Sequence, residues 1–557
     1  MRNYSVIRIS FILILFMTGG MFVSTDSIRA EDAAKSLDAF MSQYQKDYQK
    51  LYCDVSYSWW DAVTTGSEKA FAKSADASLA ISKYHASADK FKELKSLRLQ
   101  AKGIAPLQAR AAYVAYRSFE ESQFSPELMK KMVDLSSEIE QLFQTQRCKL
   151  DGKEYTNNDL LDMLQKETDS KRRFQIWASL KEVGELVAPR LIELAKLRNQ
   201  AARELGYKNF WEMSVSFQDY KPETLLAIFQ ELETLTTPIF KQVKSELDDE
   251  LKAKFGVDKI MPWHYDNPFF QQAPPSKEVD LDEFFRSRKK EDIVDISIRY
   301  YDTLGIDVRP IVKNSDLFDR PGKSQHGFCN NMNGEGDVRI LCNIKPTAEW
   351  MDTQLHELGH AIYDYTIDRS LPFNIRLPAH IFTTEGVAMM FGAKAKDPAW
   401  LIKFAGVSEK RASEIAPALK KQRLREQLIF CRWCLVMLHF EKAFYENPDG
   451  ELNTLWWDTV EKLQLMPRPE NRNLADWASK PHFVIAPVYY HNYMLGELFG
   501  AQLRKSLERQ SGGDLAKFGQ LLREKVFKPG DSLPWEEFVR QATGEDFSPK
   551  AFAEELK

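Results

Sequence analysis

The stretch TQLHELGHAIYDY, Thr353–Tyr365, sets two histidines and a glutamate in the spacing H-E-x-x-H. The segment opens after Pro346 like a helix, and Met351, Leu355, Leu358 and Ile362 then recur at spacings of four, three and four, the period of one buried helical face. On such a helix His356 and His360 project from the same side, so two imidazole nitrogens can reach one ion at about 2.0–2.1 Å. Glu357 falls beside them, where a carboxylate can take the proton of a metal-activated water. The competing view, that these are ordinary surface or core histidines, ignores the glutamate, the exported setting and the third-ligand candidates that follow.

A zinc hydrolase site needs three protein ligands and an open position. The metzincin pattern requires a glycine three residues after the second histidine and another histidine six after it; Tyr363 and Thr366 stand there and exclude that class. Candidates for the third ligand are Asp368, His380 and Glu385. Asp368 is only eight residues past His360, too near the end of the same helix to fold back. His380, in RLPAHIF, precedes the next helix. Glu385, in FTTEGVAMMFG, is favoured because Thr383 or Thr384 can cap a helix whose first turn would then carry it rigidly, with His380 as the alternative.

Outward from this segment the chain of 557 residues is mostly helical in pattern. In RFQIWASLKEVGELVAPRLIELAKLRNQAARELG the residues Ile176, Trp177, Leu180, Val183, Leu186 and Val187 follow helical spacing, which predicts a stack of helices from Ala33 to about Ile260. Met261–Asp280, rich in Pro and aromatics, reads as a long loop. Helical patterning resumes near Leu281, with one exception: Asn333–Gly336, NGEG, is a hairpin signal followed by the strand-like DVRILCNI. Cys329 and Cys342 are symmetric about Glu335-Gly336, which predicts a cross-hairpin disulfide; Cys53 and Cys148 form a weaker candidate pair. CRWC, Cys431–Cys434, lies in an apolar run that reads as a buried helix.

Lys plus Arg 76 against Asp plus Glu 80 leaves a net charge of -4, without the basic excess of a nucleic-acid binder. Arg2 and Arg8, the apolar run from Phe11 to about Val23 and the small, polar stretch beyond it have the order of a secretory signal, residues 1–30, cleaved after Ala30; an uncleaved anchor is the rival. Either way the remainder, residues 31–557, is expected to be exported, periplasmic or extracellular. No second long apolar run predicts a stable membrane span.

A helix with H-E-x-x-H and a glutamate 25 residues later on a second helix resembles the gluzincin arrangement shared by the angiotensin-converting enzyme family of peptidyl-dipeptidases and the thimet oligopeptidase and oligoendopeptidase F family. LYCDVSYSWWDAVTTGSEKAFAKSADASLAISKYHASADKFKEL, the Trp177 helix, LNTLWWDTVEKLQLMPRP and SKPHFVIAPVYYHNYMLGELFG are similar to segments of the converting-enzyme family. That resemblance implies an all-α fold of two helical lobes around a deep channel, with a small hairpin beside the zinc helix. It implies zinc on His356, His360 and Glu385, and Glu357 as the base.

The same resemblance gives Lys480 and His482 the places of a Lys-x-His, the lysine holding a substrate's C-terminal carboxylate and the histidine a peptide carbonyl. Tyr493 takes the place of the oxyanion-stabilising tyrosine. One extra residue in this segment leaves the second carboxylate ligand open between Tyr489 and Tyr490. His326 is similar to a strand histidine that contacts a substrate carbonyl. Two departures stand out: His491 or Asn492 occupies the place of the family's chloride-binding arginine, which puts chloride activation in doubt, and Met389 occupies that of an acidic residue that orients a zinc histidine. Asp364, four residues from His360, is a candidate substitute. The implied activity is release of C-terminal dipeptides from short oligopeptides. GKSQHGFC also supports an oligoendopeptidase, and a catalytically silent peptide-binding receptor is the alternative from another class.

Overall fold

The computed structural model describes residues 25–276 and 278–557, so residues 1–24 of the expected signal lie outside the described residues. The fold is all-α, with two short antiparallel hairpins as the β-structure of the described residues. Long helices dominate: Thr25–Thr65, Ser170–Glu204, Pro222–Phe255 and Glu409–Glu446. Ser, Thr, Asp or Asn caps many helix starts, as in Asp169 before Ser170 and Ser408 before Glu409. Among the described residues no helix is long and apolar enough to cross a membrane.

The helical patterns of the sequence are realised with one misplacement. Ile176, Trp177, Leu180 and Val187 are buried and Val183 half-buried, but Leu186 is 43% exposed, because the face turns toward solvent there. Met261–Asp280 carries one short turn, Pro262–His264, as regular structure among its described residues. Cys431 and Cys434 are buried in the helix Glu409–Glu446. One hairpin was not anticipated: Cys148–Leu150 pairs with Lys153–Tyr155. Its turn is Asp151-Gly152, both at positive φ (52° and 74°), the dipeptide a tight hairpin favours.

The expected hairpin is present as Phe328–Asn331 against Val338–Leu341, but the predicted disulfide is not. All six cysteines are free, so neither Cys329–Cys342 nor Cys53–Cys148 is paired. Cys329 stands opposite Ile340 because the turn closes one position earlier than the cysteine symmetry requires. Met332 N–H donates to Asp337 O at 2.8 Å, and the Asn331 side chain accepts from Gly334 N at 2.9 Å. The two sulfurs are thus diagonal neighbours rather than partners. Asp316 bonds to the outer side of Val338–Leu341 through Ile340 and Cys342, which leaves Phe328–Asn331 as the open edge.

Two helices meet at the centre. The HExxH helix, Ala348–Thr366, is capped by Thr347, whose hydroxyl accepts from Trp350 N at 3.2 Å, and buries Met351, Leu355, Leu358 and Ile362 as its spacing predicts. The second, Ile381–Gly392, crosses it at the glycine of HELGH: a Cβ on Gly359 would lie 2.8 Å from Ala388 Cα. Only glycine permits that approach.

Candidate metal centre and substrate groove

The close crossing sets Glu385 opposite the two histidines. His356 Nε2 and His360 Nε2 are 3.2 Å apart, and Glu385 Oε2 lies 3.8 Å from the first and 3.9 Å from the second. A tetrahedral site with bonds of about 2.0–2.1 Å has edges of about 3.3–3.4 Å, so these side chains fit one ion after small rotations. They form the one group of three or more metal-capable side chains found among the described residues. Burial pushes His356 down to about 4; burial and then His356 push His360 down to about 3. Both imidazoles are therefore neutral, the form that binds metals. Burial raises Glu385 to about 7, and burial together with Glu385 raises Glu357 to about 8. Buried carboxylates facing one another in this way are relieved by a cation.

The helix that carries Glu385 starts earlier than its threonines suggested. His380 is the cap, Thr383 accepts from His380 N at 3.1 Å, and Glu385 sits in the second turn. His380 itself is engaged elsewhere, with Nε2 2.6 Å from Gln218 O and Nδ1 3.3 Å from Tyr220 OH. Asp368 accepts from Ser370 N at 2.8 Å. Neither joins the cluster.

Asp364 does not orient His360. That contact is made by Thr384, whose hydroxyl is 2.6 Å from His360 Nδ1, while Asp364 Oδ1 has no hydrogen-bond partner and burial raises its carboxyl to about 7. A threonine four positions past the cap lands on the inner face of its helix, beside Glu385; its place just ahead of the glutamate was the available signal.

Strand and tyrosine helix close in from two sides. A Cβ on Gly327 would lie 3.5 Å from Glu357 Oε1, so the chain entering Phe328–Asn331 passes over that carboxylate. His326, just before it, is exposed. The helix Tyr490–Ser511 packs on the Glu385 helix, where a Cβ on Gly496 would lie 3.1 Å from Glu385 Cβ. Tyr493 and Tyr489 both feel the Glu385 charge, and their rings are 5.1 Å apart. Burial, then that charge, raises the Tyr493 hydroxyl above its ordinary value.

Tyr490 faces the other way. Its ring is 4.7 Å from that of His482 and 5.4 Å from Lys480 Nζ, so it, rather than Tyr489, stands with Lys480. Lys480 is 6% exposed, and burial lowers it to about 8. Its Nζ donates at 2.6 Å to a neutral acceptor, Gln271 Oε1. His482 Nδ1 is buried without a partner. Gln271 was missed in the sequence because it sits in the aperiodic Pro-rich loop. It lines a cavity of about 470 Å³ together with His356. At the two residues that could stand for a chloride-binding arginine there is a neutral network: Asn492 accepts from Tyr220 OH at 2.8 Å, and Asn492 Nδ2 donates to Gln218 Oε1 at 2.7 Å, with His491 Nε2 2.8 Å from the same oxygen.

Comparison with known proteins gives one consistent relationship. The family model for angiotensin-converting enzyme matches residues 31–554. The chain is 21% identical over 432 residues to the angiotensin-converting enzyme-like protein Ace3 of Mus musculus, covering 71% of this chain and 58% of that protein. It is 21% identical over 405 residues to the angiotensin-converting enzyme of Rattus norvegicus, covering 65% of this chain and 30% of the relative. The chain therefore spans about a third to somewhat over half of the length of these relatives.

Proposed function

We propose, on the premise that the chain belongs to the angiotensin-converting enzyme family of peptidases, that it is an exported zinc peptidyl-dipeptidase acting on short oligopeptides. His356, His360 and Glu385 hold the metal. A bound zinc ion supplies Lewis acidity, polarising the scissile carbonyl and acidifying a water. Glu357 takes the water's proton and delivers it to the leaving amine. Tyr493, whose hydroxyl has no protein partner among the described residues, donates to the developing oxyanion, and His482 assists from beside Tyr490. The extended peptide pairs along the open edge of Phe328–Asn331 near His326.

The observation that carries the dipeptidase assignment is Lys480: a buried ammonium whose hydrogen-bond acceptor is the neutral amide of Gln271, a residue that lines the cavity containing His356. A free C-terminal carboxylate satisfies it, with Gln271 and Tyr490 as the flanking polar groups. Cleavage is then measured from the C-terminus. An oligoendopeptidase would have no use for a cation there, and a silent receptor would have no use for Glu357. The test compares free-acid and C-terminally amidated forms of one decapeptide, with products mapped by mass spectrometry. The amide should lose between about ten- and a hundredfold of kcat/KM, since a charge-assisted bond is worth about 1.5–3 kcal/mol, and the free acid should be cut two residues from its end. Lys480→Met should erase the difference. Equal cleavage of both forms at internal bonds would replace this assignment with the oligoendopeptidase one.

A further inference from the structure

Gln271 also lines a second cavity, about 290 Å³, whose wall includes Lys480, Lys181, Asn267 and Ser479. Lys181 comes from the helix Ser170–Glu204 and is 3% exposed. Its ammonium lies over the Phe269 ring, 3.1 Å from the centroid, and 5.7 Å from that of Trp177. No hydrogen bond or ion pair to Lys181 is found among the described residues. Lys480 Nζ is 5.4 Å from the same Phe269 centroid, so two buried ammonium groups crowd one aromatic ring on one cavity.

The charges around Lys181 do not balance. Asp476 attracts it, but that carboxylate is already held by Arg472, with bonds of 3.0 and 2.8 Å, while Arg472 and Lys480 both repel. Burial pushes Lys181 well below its ordinary value, and those two cations add to the effect. An ammonium kept inside without an acceptor is costly, and an incoming anion removes the cost. The cavity is large enough for an amino-acid side chain, and one of its two cations is already assigned to a terminal carboxylate.

We propose that Lys181 is a specificity residue for substrates whose C-terminal residue is aspartate or glutamate: Lys480 and Gln271 take the α-carboxylate, and Lys181 takes the side-chain carboxylate. This rests on the peptidyl-dipeptidase assignment above. An inorganic anion shares the chemistry, and the experiment separates the two sources.

Two free-acid decapeptides differing only in a terminal Glu or Gln are cleaved by the zinc-loaded protein and by Lys181→Met, with and without added chloride. In parallel, the dipeptides Ala-Glu and Ala-Gln are titrated calorimetrically. The expected result is a preference for the Glu peptide of about ten- to a hundredfold in kcat/KM, matched in dipeptide affinity and collapsing toward unity in Lys181→Met. Equal use of the two peptides by the unsubstituted protein overturns the proposal, whatever the variant does. So does a chloride response that is the same for both peptides and absent in Lys181→Met, which makes the cavity a site for a free anion. If neither peptide is cut, the peptidase assignment fails, and the dipeptide titration still decides whether Lys181 discriminates.

Discussion

The metal cluster and the Lys480 cluster are built by different means. His356, His360 and Glu385 stand on two helices locked together at Gly359, and each helix carries its own cap and buried stripe. Lys480, His482 and Gln271 come from a short turn, a four-residue helix and a Pro-rich loop, brought together from segments some two hundred residues apart. The first end is rigid because helical periodicity fixes it; the second is fixed by burial, with Phe269, Trp433 and Tyr490 packed around one ammonium. Chemistry placed on helices can be found from spacing, whereas recognition placed on loops needs the tertiary structure.

That contrast can be broken most severely at the third ligand. Glu385→Ala should abolish metal binding and hydrolysis together, as measured by metal content and peptide turnover, and His380→Ala should retain the metal, because both of its ring nitrogens are used by Gln218 and Tyr220. The reverse outcome would move the ligand set to the loop. A smaller effect belongs to the hydrogen bond behind His360. Thr384→Val should weaken zinc affinity by about ten- to a hundredfold in a chelator competition, and unchanged affinity would return the orienting role to another group.

The smallest effect concerns Asp364, which touches neither cluster. Its carboxyl is raised by burial from an ordinary 3.8 to about 7, so in the folded chain it favours the protonated form. The stability it contributes is present below its unfolded value and is lost as pH rises through about 7. Asp364→Asn removes that loss: its Tm relative to the unsubstituted protein should be higher at pH 8 than at pH 5, by a few degrees at most. A difference independent of pH would show that the carboxyl is not strained by burial.

Periodicity made much of this legible in the sequence. Met351, Leu355, Leu358 and Ile362 announced the HExxH helix, and NGEG announced the hairpin beside it. What periodicity cannot supply is register and side-chain partnership. A one-residue shift of the turn, set by Asn331 and the Met332–Asp337 bond, separates Cys329 from Cys342. Thr384 rather than Asp364 reached His360 because the Glu385 helix begins three residues earlier than its threonines suggest. The Asp151-Gly152 hairpin carried a strong local signal that was outweighed by the helical segments around it. Gln271 and Lys181 gave no signal, since one lies in an aperiodic loop and the other inside a helix, where a lysine ordinarily faces solvent.

Metal binding and proton transfer are separated most directly by the paired measurement of zinc content and turnover in Glu357→Gln. The ligands stay intact while the amide cannot accept the water's proton. About one zinc per chain is expected, as in the unsubstituted protein, with kcat on the free-acid decapeptide reduced by a factor on the order of a thousand or more. Full zinc with kcat within about tenfold of the unsubstituted protein would contradict this expectation, because the base would then lie elsewhere.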